Sequence, residues 1–334
     1  MSTAIAKKQR IAWIDIAKGF TILTVIWGHT LAAGSTLRNV IFSFHMPLFF
    51  ILSGFTLKPA KDAEDLVSRT KKDFLRLIVP VILILVIASI LHVIFFNSSA
   101  TVESYQLLYK LFWANGLPLE AGMPSMGMPW FLVALFMSKF LLRLFSLLFK
   151  KDFELIGIFC GFVGMTLSAK HIWLPLNLDT ALVCMIFVAV GMLAHKYLSL
   201  LTRYKLPLFF ISLFFTYYAL SHGQYIEFAA HLYNPYLIIE GLASSFIVCI
   251  ICNAISPIKP IHKTFCFIGI NTMPIFLMHH MDYFAPFLYQ NNNMYISCLF
   301  RTFWALLFAF VFTFIYRWSK KKIIAFFNSR RITN

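Results

Sequence analysis

Lys18 and His29, with Asp15 one turn earlier, stand inside a stretch, 13–30, that is otherwise apolar enough to cross a bilayer. On a straight α-helix, Lys18 and His29 project from nearly the same face, roughly 20° apart, and lie ~16 Å apart along the axis. Ionisable groups at membrane depth are costly and usually face a bundle interior or a wet cavity. That face is therefore expected to line a reaction site. A second imidazole, His45, opens the next apolar run, and the short turn 34–38 makes the two helices neighbours. His29 and His45 then share one layer and can act as an acid–base pair. A lone histidine in an apolar helix is more often packing, so the shared layer is what makes His29 a catalytic candidate. Lys18 has two readings. One is a local ion pair with Asp15 at i, i+3, its stem snorkelling toward headgroups. The other is a cation held for an anionic ligand, such as the phosphates of a cytoplasmic cofactor.

The elements that must position these groups are spans. The 334 residues are 60% hydrophobic and only 13% charged, which points to an all-α polytopic membrane protein. Ten apolar runs of span length are expected, near 11–33, 39–57, 77–96, 129–149, 153–169, 175–195, 206–221, 235–254, 265–287 and 296–317. The ninth is interrupted by Pro274 and Pro286. The formal net charge of +16 does not imply nucleic acid, because the basic residues cluster between the runs as cytoplasmic loops do. Lys7, Lys8 and Arg10 precede the first run; Lys58, Lys61, Arg69, Lys71, Lys72 and Arg76 follow the second; Arg317, Lys320, Lys321, Lys322, Arg330 and Arg331 close the chain. The opposite connections hold only Arg38, Lys110 and Lys170. This asymmetry predicts ten spans with both termini cytoplasmic, in one transmembrane domain over 1–334 with no fused soluble domain. The long connection 97–128 is read as a lid or as a spacer with an interfacial aromatic helix. The six cysteines all lie in apolar segments and form no disulfide framework. Cys249 and Cys252 are expected to pack.

These residues also resemble a family. Asp15-Ile-Ala-Lys18-Gly19 followed by His29 resembles the Arg/Lys-x10-His first-helix motif of the membrane acyltransferase-3 family. Phe44-His45-Met46-Pro47 through Ser53-Gly54-Phe55 is similar to its second-helix signature, and Lys72 through Pro80 to the basic entry of its third helix. Met128-Pro129-Trp130-Phe131-Leu132, Leu174 through Ala181, Phe187 through Gly191 and Ile268 through Pro274 match later segments in order. The phrasing Trp-Ile-Asp-x-x-Lys-Gly is closest to fucose 4-O-acetylase-like members. Two departures stand out: Lys18 replaces the commoner Arg, and so loses its planar fork, and Thr272 replaces the usual Ser.

The resemblance implies O-acetyl transfer in a bacterial inner membrane, from cytoplasmic acetyl-CoA to a sugar hydroxyl of a cell-surface polysaccharide or its lipid-linked precursor. Capsule and O-antigen are the expected classes of product. His29 would be catalytic base or transient acyl carrier. Lys18 would hold the donor, with Arg69, Lys72 and Arg76 binding its phosphates, unless those three are ordinary positive-inside charge. Asp179 would orient His29 or grip sugar hydroxyls. His45, Trp130, Asn271 and His279 would contact substrate, and Asp15 and Ser53 would support the site. No Asp, Glu and His set has metal-ligand spacing, so no metal is expected. The competing reading is a secondary transporter using Lys18, His29 and Asp179 as an intramembrane proton or substrate site. Against it, no inverted repeat is visible.

Overall fold

A computed structural model describes residues 11–288 and 293–332. Lys7, Lys8 and Arg10 lie outside the described residues, as do the side chains of Arg317, Lys320, Lys321, Lys322, Arg330 and Arg331. The first half holds α1 (Ala12–Gly28), α2 (Thr36–Phe55), α3 (Ala63–Asp73), α4 (Val79–Phe96), α5 (Ala100–Trp113), α6 (Trp130–Phe149) and α7 (Phe153–Ala169). The second half holds α8 (Leu178–Lys196), α9 (Leu198–Arg203), α10 (Lys205–Ser221), α11 (Pro235–Ile255), α12 (Lys259–Ile270), α13 (Thr272–His280) and α14 (Met294–Ile332). Among the described residues the only β feature is an isolated bridge between Glu227 and Leu232. The protein is thus helical, and it is a multi-pass membrane protein.

All ten apolar runs fall on helix. Among the described residues, length and apolarity qualify six helices as spans, or seven when the bent pair α12–α13 is counted as one, and α1, with 17 residues, is not among them. Helices α7 and α10 are apolar but shorter. The ninth run breaks at Asn271, where α12 and α13 meet at 63°. The break lies one turn before Pro274, whose missing N–H would have bonded the Ile270 carbonyl. The connection 58–76, read from sequence as a loop, is instead mostly helix. Asp62 caps α3 by accepting from the Asp65 N–H (2.8 Å), with Glu64 and Asp65 in the first turn and Lys71 and Lys72 in the last. The chain then runs through one wider helical turn, Phe74–Ile78, directly into α4.

Close helix approach explains several motif positions. A Cβ on Gly54 would land on the Val188 carbonyl, and one on Gly191 on the Ile51 carbonyl, so α2 and α8 meet backbone to backbone. Likewise a Cβ on Gly269 would strike the Asp15 carbonyl, which fixes α12 against α1. Within a membrane, where burial supplies little helix–helix attraction, such small-residue contacts are a main source of packing. Inside α2, Pro47 cannot bond the Ser43 carbonyl. The Ser244 hydroxyl on α11 donates to it instead, at 2.9 Å.

Candidate active site

Successive long helices run antiparallel, so His29, at the C-terminal end of α1, comes level with His45, midway along α2. The segment following α13 returns to that level. Three imidazoles therefore converge: the His29 ring centroid is 6.4 Å from that of His45 and 5.8 Å from that of His279. His45 and His279 are buried, at 3% and 0% exposure, while His29 remains accessible. Phe42 packs edge-on against both His29 and His45.

The partners fix two of the three tautomers. His45 Nδ1 lies 2.9 Å from the Ile41 carbonyl, which can only accept, so Nδ1 carries the proton. His279 Nδ1 lies 2.8 Å from the Asp282 carboxylate and likewise donates. Each ring then has a lone pair on Nε2 when neutral. The Nε2 of His279 is buried with no hydrogen-bond partner, an unpartnered base in an enclosed layer.

Asp282 is held in turn by Arg301, whose Nε donates at 2.8 Å and whose second nitrogen donates at 3.2 Å, a two-point grip on the carboxylate. The remaining arm of Arg301 donates to the His29 carbonyl (3.0 Å) and the Thr30 hydroxyl (2.7 Å). That carbonyl belongs to the frayed end of α1, where intrahelical partners run out. One guanidinium thus joins α14, the turn after α13 and the end of α1 beside His29.

Asp282 and Arg301 are not among the sequence candidates, although both carried a signal. Arg301 interrupts the apolar run 296–317 and weighs as much as Lys18 by the same cost argument. Asp282 follows His279 at helical i, i+3 spacing. Arg38 was likewise visible only as loop charge. Its guanidinium lies over the Phe42 ring (3.9 Å), donates to the Tyr225 hydroxyl (2.9 Å) and faces Glu227 (3.7 Å). The connection 222–234 is thereby tied to the histidine cluster. Burial pushes the Glu227 carboxyl up, against the opposing pull of Arg38.

The other predicted residues are distributed. Asp179 is buried, accepts from the Leu174 N–H (3.1 Å) and the Thr180 hydroxyl (3.4 Å), and faces His231 (3.7 Å). Those contacts place it with the connection 222–234. Trp130 is buried at the start of α6, against Phe131 and Phe228. Asn271 sits at the helix break and donates to the Phe267 carbonyl (2.7 Å). Ser53 is half-buried beside the Gly54 contact, and Asp15 and Lys18 are half-buried at the end of α1 opposite His29.

At that opposite end, Arg69 is paired with Asp65 (2.6 Å), and Lys72 and Arg76 are exposed. Nearby, Asp73 binds Lys139 (2.8 Å) and Arg143 (2.6 Å), a buried cluster that the sequence reading did not single out. Among the described residues, no three His, Cys, Asp or Glu side chains are grouped to hold a metal ion.

Comparison with known proteins agrees with this arrangement at one level. The family model described as an acyltransferase domain matches residues 11–320, nearly the whole chain. No curated protein and no solved structure matches. With the histidine cluster inside the matched region, the chain belongs to the acyltransferase-3 family of membrane acyltransferases.

Proposed function

We propose that the protein is an O-acetyltransferase that moves an acetyl group from cytoplasmic acetyl-CoA to a sugar hydroxyl of a surface polysaccharide or its lipid-linked precursor. It would work in a bacterial inner membrane, with ten spans and both termini cytoplasmic, as a member of the fucose 4-O-acetylase-like subgroup. The observation that carries the reading is the accessible His29 flanked by two buried imidazoles of fixed tautomer.

In this reading His29 takes the proton of the acceptor hydroxyl as its oxygen attacks the thioester carbonyl. The C–O ester bond forms, the C–S bond breaks, and the CoA thiolate recovers the proton. Nε2 of His279 can receive that proton in passing, and the Asp282 carboxylate at 2.8 Å stabilises the resulting imidazolium. General acid–base assistance of this kind is worth about 10²–10⁴-fold. Lys18, at the other end of α1, holds the donor as a point charge without a guanidinium's fork, and the exposed Lys72 and Arg76, with Arg69, favour its phosphates. Asp15 and Ser53 support the helices that carry the site. Trp130, Asn271 and His45 shape it, and Asp179 acts on the acceptor side through His231.

Membranes supplied with labelled acetyl-CoA test this. His29→Ala should abolish label in glycan, and His279→Ala should lower kcat about 10²–10⁴-fold. Equal labelling in wild type and His29→Ala would falsify the assignment. A transporter reading draws support from Glu240 on α11, fully buried with neither carboxylate oxygen in a hydrogen bond. Solute accumulation in intact cells that is lost in Glu240→Gln, without acetyl transfer, would favour it.

A further inference from the structure

A second site lies one hairpin away from the histidines. Glu227 and Leu232 exchange both backbone hydrogen bonds, at 3.0 and 2.9 Å, closing a tight turn over Phe228–His231. On one side of that turn, Tyr225 and Glu227 reach Arg38 and, through Phe42, the His29–His45 layer. On the other side, Ala229–Tyr233 walls a cavity of about 440 Å³ together with Leu117–Leu119, the end of α7, His171 and Trp173. That volume is within the range of small-molecule sites.

The lining is neutral and two-natured. Leu117, Pro118 and Met165 offer an apolar wall, and the rings of His171, Trp173 and His231 stand in a row, with centroids 5.8 Å apart and then 4.3 Å apart. Polar atoms converge among them. His231 Nδ1 is anchored by the Tyr233 hydroxyl (3.0 Å), by Thr180 (3.4 Å) and by Asp179 (3.7 Å). His231 itself lines the cavity. No lysine or arginine lines the cavity. Burial, with His171 adding to it, holds His231 down to about 4, so the ring is uncharged near neutrality. The backbone is also held in an uncommon conformation here, with His231 at φ +54° and Leu176 and Asn177, which precede Asp179, at +57° and +53°. Such strain persists where the surroundings over-determine it, commonly at ligand clamps.

A pyranose ring matches this lining: its C–H face suits aromatic and apolar walls, and its hydroxyl rim suits an imidazole nitrogen, a phenol and a serine. We infer that the cavity lined by Trp173, His231, Tyr233 and the 117–119 segment is the acceptor subsite, and that it takes an uncharged pyranose residue whose hydroxyl reaches His29 across the 227–232 turn. The inference rests on the acyl-transfer reading for its role and stands apart from it for its binding.

Saturation-transfer NMR on the full chain in detergent can test binding without turnover. The probes are methyl glycosides of glucose, galactose, fucose and N-acetylglucosamine, with methyl N-acetylneuraminate glycoside as the anionic probe and sorbitol as the acyclic control. At least one neutral pyranoside should receive saturation on its ring C–H protons, and His29→Ala should retain that signal. Trp173→Leu should weaken it about tenfold, and Tyr233→Phe, a milder change, should weaken it measurably if the larger substitution misfolds. Saturation of sorbitol or only of the anionic probe, or of no pyranoside, would overturn the proposal. A neutral pyranoside bound equally by wild type, Trp173→Leu and Tyr233→Phe would also overturn it. Pyranoside binding at this site with no acetyl transfer in any preparation would instead sink the acyltransferase reading and leave the subsite standing.

Discussion

A histidine's chemistry is decided by what its Nδ1 faces, and this protein sets that choice twice with acceptors, a carbonyl for His45 and Asp282 for His279, while His231 Nδ1 faces two hydroxyls with Asp179 at 3.7 Å. The carboxylates do different work. Asp282 is neutralised by a two-point arginine, so it orients His279 without leaving an unpaired charge. Asp179 is capped by a backbone N–H and a hydroxyl beside a ring that stays neutral. His231 carries a pH consequence. Its folded value of about 4 lies below the ordinary ~6.5. Between those values the unfolded chain binds a proton that the folded chain refuses, so stability rises with pH across that window and is lost as pH falls from ~6.5 toward 4. The thermal midpoint in detergent should drop over that range, and His231→Gln should flatten part of the slope; an identical slope in the variant would contradict it. At this scale His29, His45 and His279 were legible because polar groups in apolar runs announce themselves. Asp179's contact with His231 was not, because the two stand far apart in the chain and only the folded connections bring them together.

The helices are held by devices that sequence motifs encode without explaining. In the segment Phe44 through Phe55, the proline opens a gap in the hydrogen-bond ladder and the glycine admits α8. The gap is closed from α11 by Ser244, which also bonds its own helix at the Glu240 carbonyl (3.0 Å). No water is available in hydrocarbon to replace that donor. Ser244→Ala should therefore cost about 1–3 kcal/mol, seen as a lowered unfolding midpoint, whereas Ser244→Thr, which keeps the hydroxyl, should recover most of it. A neutral alanine variant would show that the Ser43 carbonyl finds another donor. Helix positions followed directly from the apolar runs. The break did not: it falls at Asn271, a turn before the proline, because the clash acts on the preceding turn's carbonyl. Helix α3 was hidden by its charge, since basic residues mark a cytoplasmic segment whether or not it is coiled.

For the whole molecule, the chain places a cationic end and an imidazole end on one helix, with Lys18 and His29 ~16 Å apart. The cavity lined by Trp173 and His231 lies at the imidazole end and the exposed Lys72 and Arg76 at the other. The last helix adds something that the first does not. Its 39 residues make a rod of ~58 Å, against a hydrocarbon core of ~30 Å. Near the start of that rod sits Arg301, bonded to the carbonyl of His29. A helix adapts to a thicker or thinner bilayer by changing its tilt, and tilting this one moves the arginine that holds the backbone beside His29. Acetyl transfer in reconstituted vesicles should accordingly pass through a maximum as the lipid acyl chains are lengthened. In Arg301→Lys the maximum should broaden as the overall rate falls, while a rate indifferent to lipid length in wild type would mean that the rod and His29 are uncoupled. Membrane thickness, set by the cell for other reasons, would then act as a control on the proposed acyl transfer.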